Sequence, residues 1–267
     1  MTPEQKRRYN RHIILDGFGA EGQEKLLAAK ILIVGAGGLG APCALYLAAA
    51  GVGTIGIADA DIVSLSNLQR QVIHFSTDAG QMKVTLAKEK IEQLNPEVHV
   101  EALPHYITAE NALETLKPYD FIIDATDSFA SKYLINDACV LLGKPFCIAG
   151  IVRYSGQFMT HVPGSACYRC LFPEPPQENQ VETCSMVGVL GSAVGTMGTL
   201  QATEAIKYVT GIGQLHTDAV LTFDALTLGF NRFDFMANAD CAICGPHATI
   251  HELKEYSFQP CRKKIKS

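Results

Sequence analysis

The chain has 267 residues, of which 48% are hydrophobic and 18% charged, and this balance excludes the disordered and collagen-like classes. Its 22 Lys and Arg residues against 27 Asp and Glu residues give a formal net charge of -5, so no overall basic field favours nucleic acid as a partner. We therefore expect a globular protein of one large domain or two small ones.

The N-terminal segment is charged where a secretory signal would be apolar, which predicts that the protein is not secreted. An apolar run at residues 31–53 has the length of a membrane span, but its four glycines at 35–40 indicate a strand, a tight turn and a buried helix instead. Nine cysteines without a secretory signal point to a reducing compartment. We expect a cytoplasmic protein that does not enter the membrane.

Apolar strand-like runs alternate with helical stretches through the first half of the chain. The predicted strands lie at residues 31–34, 54–58, 98–103, 121–124 and 146–149. Crossover helices fit between them, and capping residues delimit helices at 80–94 and 128–142. The pattern predicts an α/β fold with a Rossmann-like, doubly wound and mostly parallel sheet.

The rhythm changes from about residue 151, where Gly-rich turns separate antiparallel-like strands and one more helix is predicted at 198–209. We predict a single domain over 1–247, with halves at about 1–150 and about 151–247, followed by a polar, basic tail over 248–267.

A glycine-rich turn follows the first predicted strand directly. Gly35, Gly37 and Gly40 have the G-x-G-x-x-G spacing, which permits a tight bend, an anion near backbone N–H groups and close packing of the next helix. Asp59 ends the next strand, where a carboxylate can accept hydrogen bonds from ribose hydroxyls. The combination predicts a nucleotide site, and a merely structural turn is the alternative.

Two cations follow in the segments that flank the same predicted pocket. Arg70 and Lys83 would stabilise the pyrophosphate that leaves when a triphosphate is attacked at its α-phosphorus. A dinucleotide is held adequately by turn amides and a helix N-terminus, so the two cations favour ATP. The alternative is that both are ordinary solvated surface charges.

An acidic cluster follows the strand at 121–124, at the edge of the sheet where ligands of open parallel sheets bind. Asp127 could hold Mg²⁺ that bridges phosphates, through one carboxylate and several waters. The alternative is a helix N-cap, which Asp127 or Ser128 could supply equally well.

Two C-x-x-C pairs, separated by 70 residues, can present four thiolates to one ion. Cys167, Cys170, Cys241 and Cys244 predict a closed structural zinc site, because no ligand position stays open for water. Neither pair has the strand-then-helix setting of a thioredoxin-like redox pair. Cys184 stands apart in a polar segment, where it is either a thiolate that attacks an acyl group or receives sulfur, or a small semi-buried residue.

The order of nine short motifs resembles that of the bacterial ThiF and MoeB adenylyltransferases, prokaryotic relatives of the ubiquitin-activating enzymes. The motifs cover roughly residues 5–245 and are RYNRHIIL, EGQEKL, VGAGGLG, DADIVSLSNLQRQ, GQMK, DATDS, CYRC, GTLQATEAIK and CAIC. The resemblance implies ATP-dependent adenylation of the C-terminal glycine of a ubiquitin-like sulfur carrier protein that ends in Gly-Gly. The adenylate would be prepared for thiocarboxylate formation in thiamine or molybdopterin biosynthesis, with ThiF slightly favoured.

The same resemblance implies roles for individual residues. ATP would lie against Gly38 and its turn, with ribose on Asp59, and further contacts would come from Asp61, Ser66, Asn67, Arg70, Lys83 and Ser128. Asp127 would hold Mg²⁺, the four paired cysteines would hold Zn²⁺, and Cys184 matches a cysteine used in sulfur transfer. Ser128 stands where Asn is usual and Met82 where Pro is common.

Partners are implied as well. The family forms homodimers in which an arginine reaches the nucleotide of the partner subunit, and Arg11 matches it. The second half would bind the carrier, and a separate cysteine desulfurase or rhodanese-type protein would donate sulfur. Three rivals fit parts of the pattern: an NAD-dependent oxidoreductase, an enzyme that adenylates a carboxylate on modified tRNA, and a non-catalytic zinc-clamped binding module.

Overall fold

A computed structural model describes residues 1–176 and 184–256, without the side chains of residues 184 and 185. The described residues form one eight-stranded sheet with the strand order β3-β2-β1-β4-β5-β6-β7-β8. The strands are β1 (Lys30–Val34), β2 (Thr54–Ala58), β3 (His99–Leu103), β4 (Phe121–Asp124), β5 (Phe146–Val152), β6 (Ser155–His161), β7 (Ala219–Asp224) and β8 (Gly229–Asp234).

The sheet is parallel in its first half and antiparallel in its second. Strands β1 to β5 pair in parallel, and β5 to β8 pair antiparallel. The predicted doubly wound sheet with an antiparallel continuation is confirmed. The strand order changes direction between β1 and β4, which is the point where ligands of open α/β sheets bind.

Ten α-helices lie within the described residues. They are α1 (Pro3–Arg8), α2 (Asn10–Ile13), α3 (Gly19–Ala28), α4 (Gly40–Ala50), α5 (Lys83–Leu94), α6 (Ala112–Leu116), α7 (Phe129–Leu142), α8 (Tyr168–Leu171), α9 (Cys184–Val187) and α10 (Gly191–Thr210). Within this part of the chain, no helix combines the length and the apolar character that a membrane crossing needs.

Side chains alternate between two cores, one on each face of the sheet. Along β1, Ile31 and Ile33 join the core that contains α4, α5 and α10, whereas Leu32 and Val34 join the core beneath α6 and α7. Because strands buried on both faces read as continuous apolar runs, β1 could be predicted from its sequence.

Two helices begin at residues other than those predicted. Helix α5 begins at Lys83 and not at residue 80, because Gly80 adopts a left-handed φ of +88° in the preceding turn. Helix α10 begins at Gly191, seven residues before the predicted start. A Cβ at Gly198 would lie 2.4 Å from the carbonyl oxygen of Leu39, so this glycine permits α4 and α10 to pack closely.

The last described residues pack against the second half of the domain. The hydroxyl of Tyr256 donates a 2.6 Å hydrogen bond to Asp137 of α7, and the guanidinium of Arg169 donates one of 2.6 Å to the same hydroxyl. Residues 257–267 of the predicted tail lie outside the described residues. The division of the domain at residue 247 stays a prediction.

Candidate active site

A cavity of about 860 Å³ opens at the carboxyl ends of β1, β2, β4 and β5. Ten of the residues predicted to form the site line it: Gly35, Gly37, Gly38, Asp59, Asp61, Asn67, Arg70, Lys83, Asp127 and Ser128. Residues from the glycine turn, the segment after β2 and the segment after β4 therefore share one cavity, although they are up to 93 residues apart in the sequence.

The glycine turn is built by close backbone contacts. Gly35 has a φ of +102°, and a Cβ there would lie 2.8 Å from the carbonyl oxygen of Ala125. Gly40 does not line the cavity, and a Cβ at Gly40 would lie 1.9 Å from the carbonyl oxygen of Gly35. Its position is that of the third glycine in the motif, which lets the following helix pack tightly against the turn.

Asp59 links the turn to the end of β2. Its Oδ2 accepts a 2.8 Å hydrogen bond from the N–H of Ala36, and its Oδ1 accepts one of 2.8 Å from the N–H of Asp61. The carboxylate is therefore fixed beside the turn, where a ribose hydroxyl could donate to it.

Lys83 is buried and paired with acids, so it is not a solvated surface charge. As the first residue of α5 it places its Nζ 2.7 Å from Asp61 Oδ2 and 3.9 Å from Asp59 Oδ2. Partial burial opposes ionisation of Asp61, but hydrogen bonds from Lys83 and Tyr106 outweigh it and lower the pKa of the Asp61 carboxyl.

Arg70 lies half-buried over the turn. Its Nη1 donates a 3.1 Å hydrogen bond to the carbonyl oxygen of Ser66, and its Cγ would be 3.1 Å from a Cβ at Gly38. Ser66 is exposed and does not line the cavity; its backbone contributes by holding Arg70. The Oδ1 of Asn67 accepts a 3.0 Å bond from the N–H of Ser64.

In the segment after β4, the helix N-cap and the free carboxylate belong to two different residues. Ser128 is the N-cap of α7, since its hydroxyl accepts a 3.0 Å hydrogen bond from the N–H of Ser131. Asp127 is exposed at the cavity and makes no side-chain hydrogen bond or ion pair with any described residue. Its carboxylate oxygens are free to ligate a cation.

Two further predicted residues lie elsewhere. Arg11 is exposed on α2, outside the lining of the cavity. Cys184 begins α9, and its side chain lies outside the described part of the chain.

The lining also contains polar residues that the sequence did not point to, among them Gln71, Tyr106 and Lys132. Tyr106 follows β3, and its hydroxyl donates to Asp61; this hydrogen bond, helped by slight burial, raises the pKa of Tyr106 to about 12. The rule that ligands bind at the carboxyl ends of parallel strands could have pointed to Tyr106, because β3 ends three residues earlier. Lys132 gives no such local signal.

The four paired cysteines converge on one point away from the cavity. Their Sγ atoms all lie within 4.8 Å of one another, with separations of 3.9 Å for Cys167 and Cys170, 3.6 Å for Cys167 and Cys241, and 3.3 Å for Cys170 and Cys244. Four sulfurs around one tetrahedral ion would be roughly 3.8 Å apart, so the cluster has the dimensions of a metal site.

The sheet topology, the glycine turn and the acids and cations around one cavity define an α/β nucleotide-binding protein. Residues 9–243 match the ThiF family, and the chain belongs to that family. The predicted resemblance is confirmed.

Known proteins extend the comparison. The chain is 44% identical over 261 residues to the sulfur carrier protein adenylyltransferase of Thermus thermophilus, covering 96% of each. It is 43% identical over 251 residues to the adenylyltransferase and sulfurtransferase MOCS3 of Sus scrofa, covering 93% of this chain and 55% of that one. The crystal structure of E. coli MccB has the same fold, with a TM-score of 0.81 at 23% identity, covering 96% of this chain and 77% of MccB.

The close approach of Gly35 to Ala125 generates a stability prediction. We expect Gly35→Ala to lower the free energy of unfolding by more than Gly164→Ala does, although Gly164 also has a positive φ, of +95°. Nothing lies within 4 Å of a Cβ at Gly164, so that variant should cost only the left-handed strain of about 1–2 kcal/mol. Overpacking against the Ala125 carbonyl should add about 1–3 kcal/mol in Gly35→Ala. Urea unfolding measures both, and equal losses would contradict the assigned contact.

Proposed function

We propose that this chain adenylates the C-terminal glycine of a ubiquitin-like sulfur carrier protein, using ATP. The observation that carries the proposal is that Arg70 and Lys83 share a cavity with the glycine turn and Asp127. The Thermus thermophilus relative, which is named a sulfur carrier protein adenylyltransferase, is similar over nearly its whole length. An oxidoreductase that uses NAD would give these charged residues no task.

The reaction requires positioning and charge stabilisation rather than a protein nucleophile. The carrier carboxylate attacks the α-phosphorus of ATP, a new bond forms between carboxylate oxygen and phosphorus, and the bond to the β-phosphate oxygen breaks to release pyrophosphate. Arg70 and Lys83 would neutralise the charge that develops on the leaving group. Asp127 would hold Mg²⁺, which when bound adds charge neutralisation at the phosphates.

The remainder of the cavity suits an extended peptide tail. Its lining on β5 to β7 includes apolar side chains, among them Phe158, Val220 and Phe223, together with Gly150 and Gly156. Because a Gly-Gly terminus has no side chains, it could pass along this part of the cavity and bring its carboxylate to the proposed phosphate site.

Removal of the Arg70 guanidinium should abolish most of the activity. We expect Arg70→Ala to lower carrier-dependent exchange of pyrophosphate into ATP by about 100-fold or more, because one charge-stabilising group is lost from the transition state. Lys88→Ala is the matched control, since Lys88 is a partly exposed cation on α5 that pairs with Glu92 outside the lining of the cavity. The substrate is a small carrier protein that ends in Gly-Gly.

Full exchange by a folded Arg70→Ala protein would contradict the phosphate-binding role of Arg70. Absence of exchange in the wild-type protein together with tight NAD binding would favour the oxidoreductase. Activity on RNA without any carrier would favour adenylation of a modified tRNA.

We further propose that the four-cysteine cluster holds a structural Zn²⁺. The fit rests on the sulfur separations and on the donor set, because four thiolates leave no open position for a reacting water. Zn²⁺ when bound would clamp α8 to the segment around Cys241 and Cys244. A reducing compartment such as the cytoplasm would keep these thiols available.

Loss of one ligand should release the metal. We expect Cys170→Ser to reduce the zinc content of the purified protein well below one ion per chain and to lower its Tm, because a structural zinc site contributes folding free energy. Elemental analysis and thermal unfolding measure the two effects. Cys43→Ala, which removes a buried thiol outside the cluster, should keep its zinc. A full zinc content in Cys170→Ser would contradict the assignment of the four cysteines as zinc ligands.

We also propose that the protein forms a homodimer in which Arg11 completes the cavity of the partner subunit. The supporting observation is that Arg11 is exposed on α2 and lies outside the lining of its own cavity. The nucleotide would then contact residues from both subunits.

Mixed dimers test the shared site. Arg11→Ala and Arg70→Ala chains carrying different tags should each be inactive, yet the purified heterodimer should recover about half of the wild-type exchange rate, because one of its two sites then has both arginines. If Arg11 acts within its own subunit, the heterodimer stays inactive. Failure of the two chains to form a dimer would refute the homodimer itself.

Sulfur would enter after adenylation. We propose that Cys184 takes part in thiocarboxylate formation in thiamine or molybdopterin biosynthesis, with sulfur from a separate cysteine desulfurase or rhodanese-type donor. The proposal for Cys184 rests on its position in the sequence.

A further inference from the structure

Helix α7 carries a buried lysine that the proposed reaction does not use. The side chain of Lys132 is only 7% exposed, yet it lines the cavity between the segment after β4 and strand β5. A buried ammonium group needs acceptors to offset its lost hydration, so its partners show what it stabilises.

The partners of Lys132 are backbone atoms of the cavity wall and one buried acid. Its Nζ donates hydrogen bonds to the carbonyl oxygens of Thr126, at 2.9 Å, and Ala149, at 2.6 Å. The same Nζ is 3.5 Å from Oδ1 of Asp124, the last residue of β4. Lys132 therefore joins α7 to the carboxyl end of β4 and to the middle of the neighbouring strand β5.

Asp124 binds the two remaining polar groups of Thr126, whose carbonyl accepts from Lys132. Its carboxylate is fully buried, and its Oδ1 accepts hydrogen bonds from the N–H of Thr126, at 2.9 Å, and from the Thr126 hydroxyl, at 2.6 Å. Every polar group of Thr126 is thus bonded to either Asp124 or Lys132.

Asp127 lies between two fixed neighbours. Thr126 is held by Asp124 and Lys132, and Ser128 is held as the N-cap of α7. The backbone of Asp127 has little freedom between them, although its side chain is exposed at the cavity without a partner among the described residues. This arrangement fixes the backbone from which the free carboxylate extends.

We propose that Lys132 is a positioning residue that sets the place of the Asp127 carboxylate, and through it the affinity of the site for a divalent cation bound with nucleotide. The proposal rests on the proposed function, in which Asp127 holds Mg²⁺. Groups that orient a metal ligand typically change metal affinity by about 10–100-fold when they are removed.

The test measures cation dependence separately from turnover. Binding of the α,β-methylene analogue of ATP is followed by calorimetry in the full chain, with and without Mg²⁺. In Lys132→Met we expect the Mg²⁺ concentration for half-maximal enhancement of analogue binding to rise about 10-fold, while binding without Mg²⁺ stays at the wild-type level. Lys132→Arg keeps the charge and should shift the Mg²⁺ dependence less.

Lys144→Met is the matched control. Lys144 follows the end of α7 and also donates a hydrogen bond to a backbone carbonyl, that of Tyr119 at 2.7 Å. This contact lies near the amino end of β4, and Lys144 does not line the cavity. It should leave the Mg²⁺ dependence unchanged.

Lys132→Met leaves the buried Asp124 carboxylate without its cation and can fail to fold. The double variant Asp124→Asn, Lys132→Met then removes both charges, and the same rise in required Mg²⁺ is expected. An unchanged Mg²⁺ dependence in either folded variant overturns the proposal, as does an equal loss of analogue binding with and without Mg²⁺. Wild-type binding of the analogue without any carrier-dependent exchange would refute the proposed function and leave the role of Lys132 to be judged from the binding data.

Discussion

The contact between the glycine turn and the segment after β4 is the constraint on which the cavity depends. Gly35 lies so close to the carbonyl of Ala125 that any side chain at position 35 would collide with it. Gly40 in turn packs on the carbonyl of Gly35. Because β1 and β4 are neighbours where the strand order changes direction, this contact brings the glycine turn and the Asp127 segment together.

Lys83 and Arg70 differ in how many acids surround them. Asp59 and Asp61 place two carboxylates beside the turn, and Lys83 is the cation that lies within 4 Å of both. A bound triphosphate would compete with Asp61 for Lys83, since one ammonium group cannot fully neutralise both. Arg70 is held by the backbone of Ser66 and not by an acid among the described residues, which supports its proposed contact with phosphate.

The features that depend on short stretches of sequence could be predicted correctly. Continuous apolar runs gave β2 and β4 with their observed bounds, and Gly35, Gly37, Asp59 and Lys83 all line the predicted pocket, whereas Gly40 packs on the turn behind it. The start of α10 could not be found in this way, because the glycines in its first half disfavour helix locally. Gly191 packs on the carbonyl of Gln69 and Gly198 on α4, and both contacts are distant in the sequence. Lys132 was missed for a similar reason: a lysine on a helix is ordinarily solvated, and its carbonyl partners lie in two different segments, on Thr126 after β4 and on Ala149 of β5.

The four-cysteine cluster and the cavity share a segment of chain. Tyr168 follows the first cysteine of its pair and lines the cavity, while Arg169 turns the other way into a bidentate ion pair with Asp137 of α7, at 2.7 Å and 2.9 Å. Both residues lie between Cys167 and Cys170, so the position of the cluster fixes both contacts. Helix α7 therefore contacts the cavity through Lys132 and the cysteine cluster through Asp137, five residues further along. In this way the second half of the domain stabilises a cavity wall that belongs to the first half.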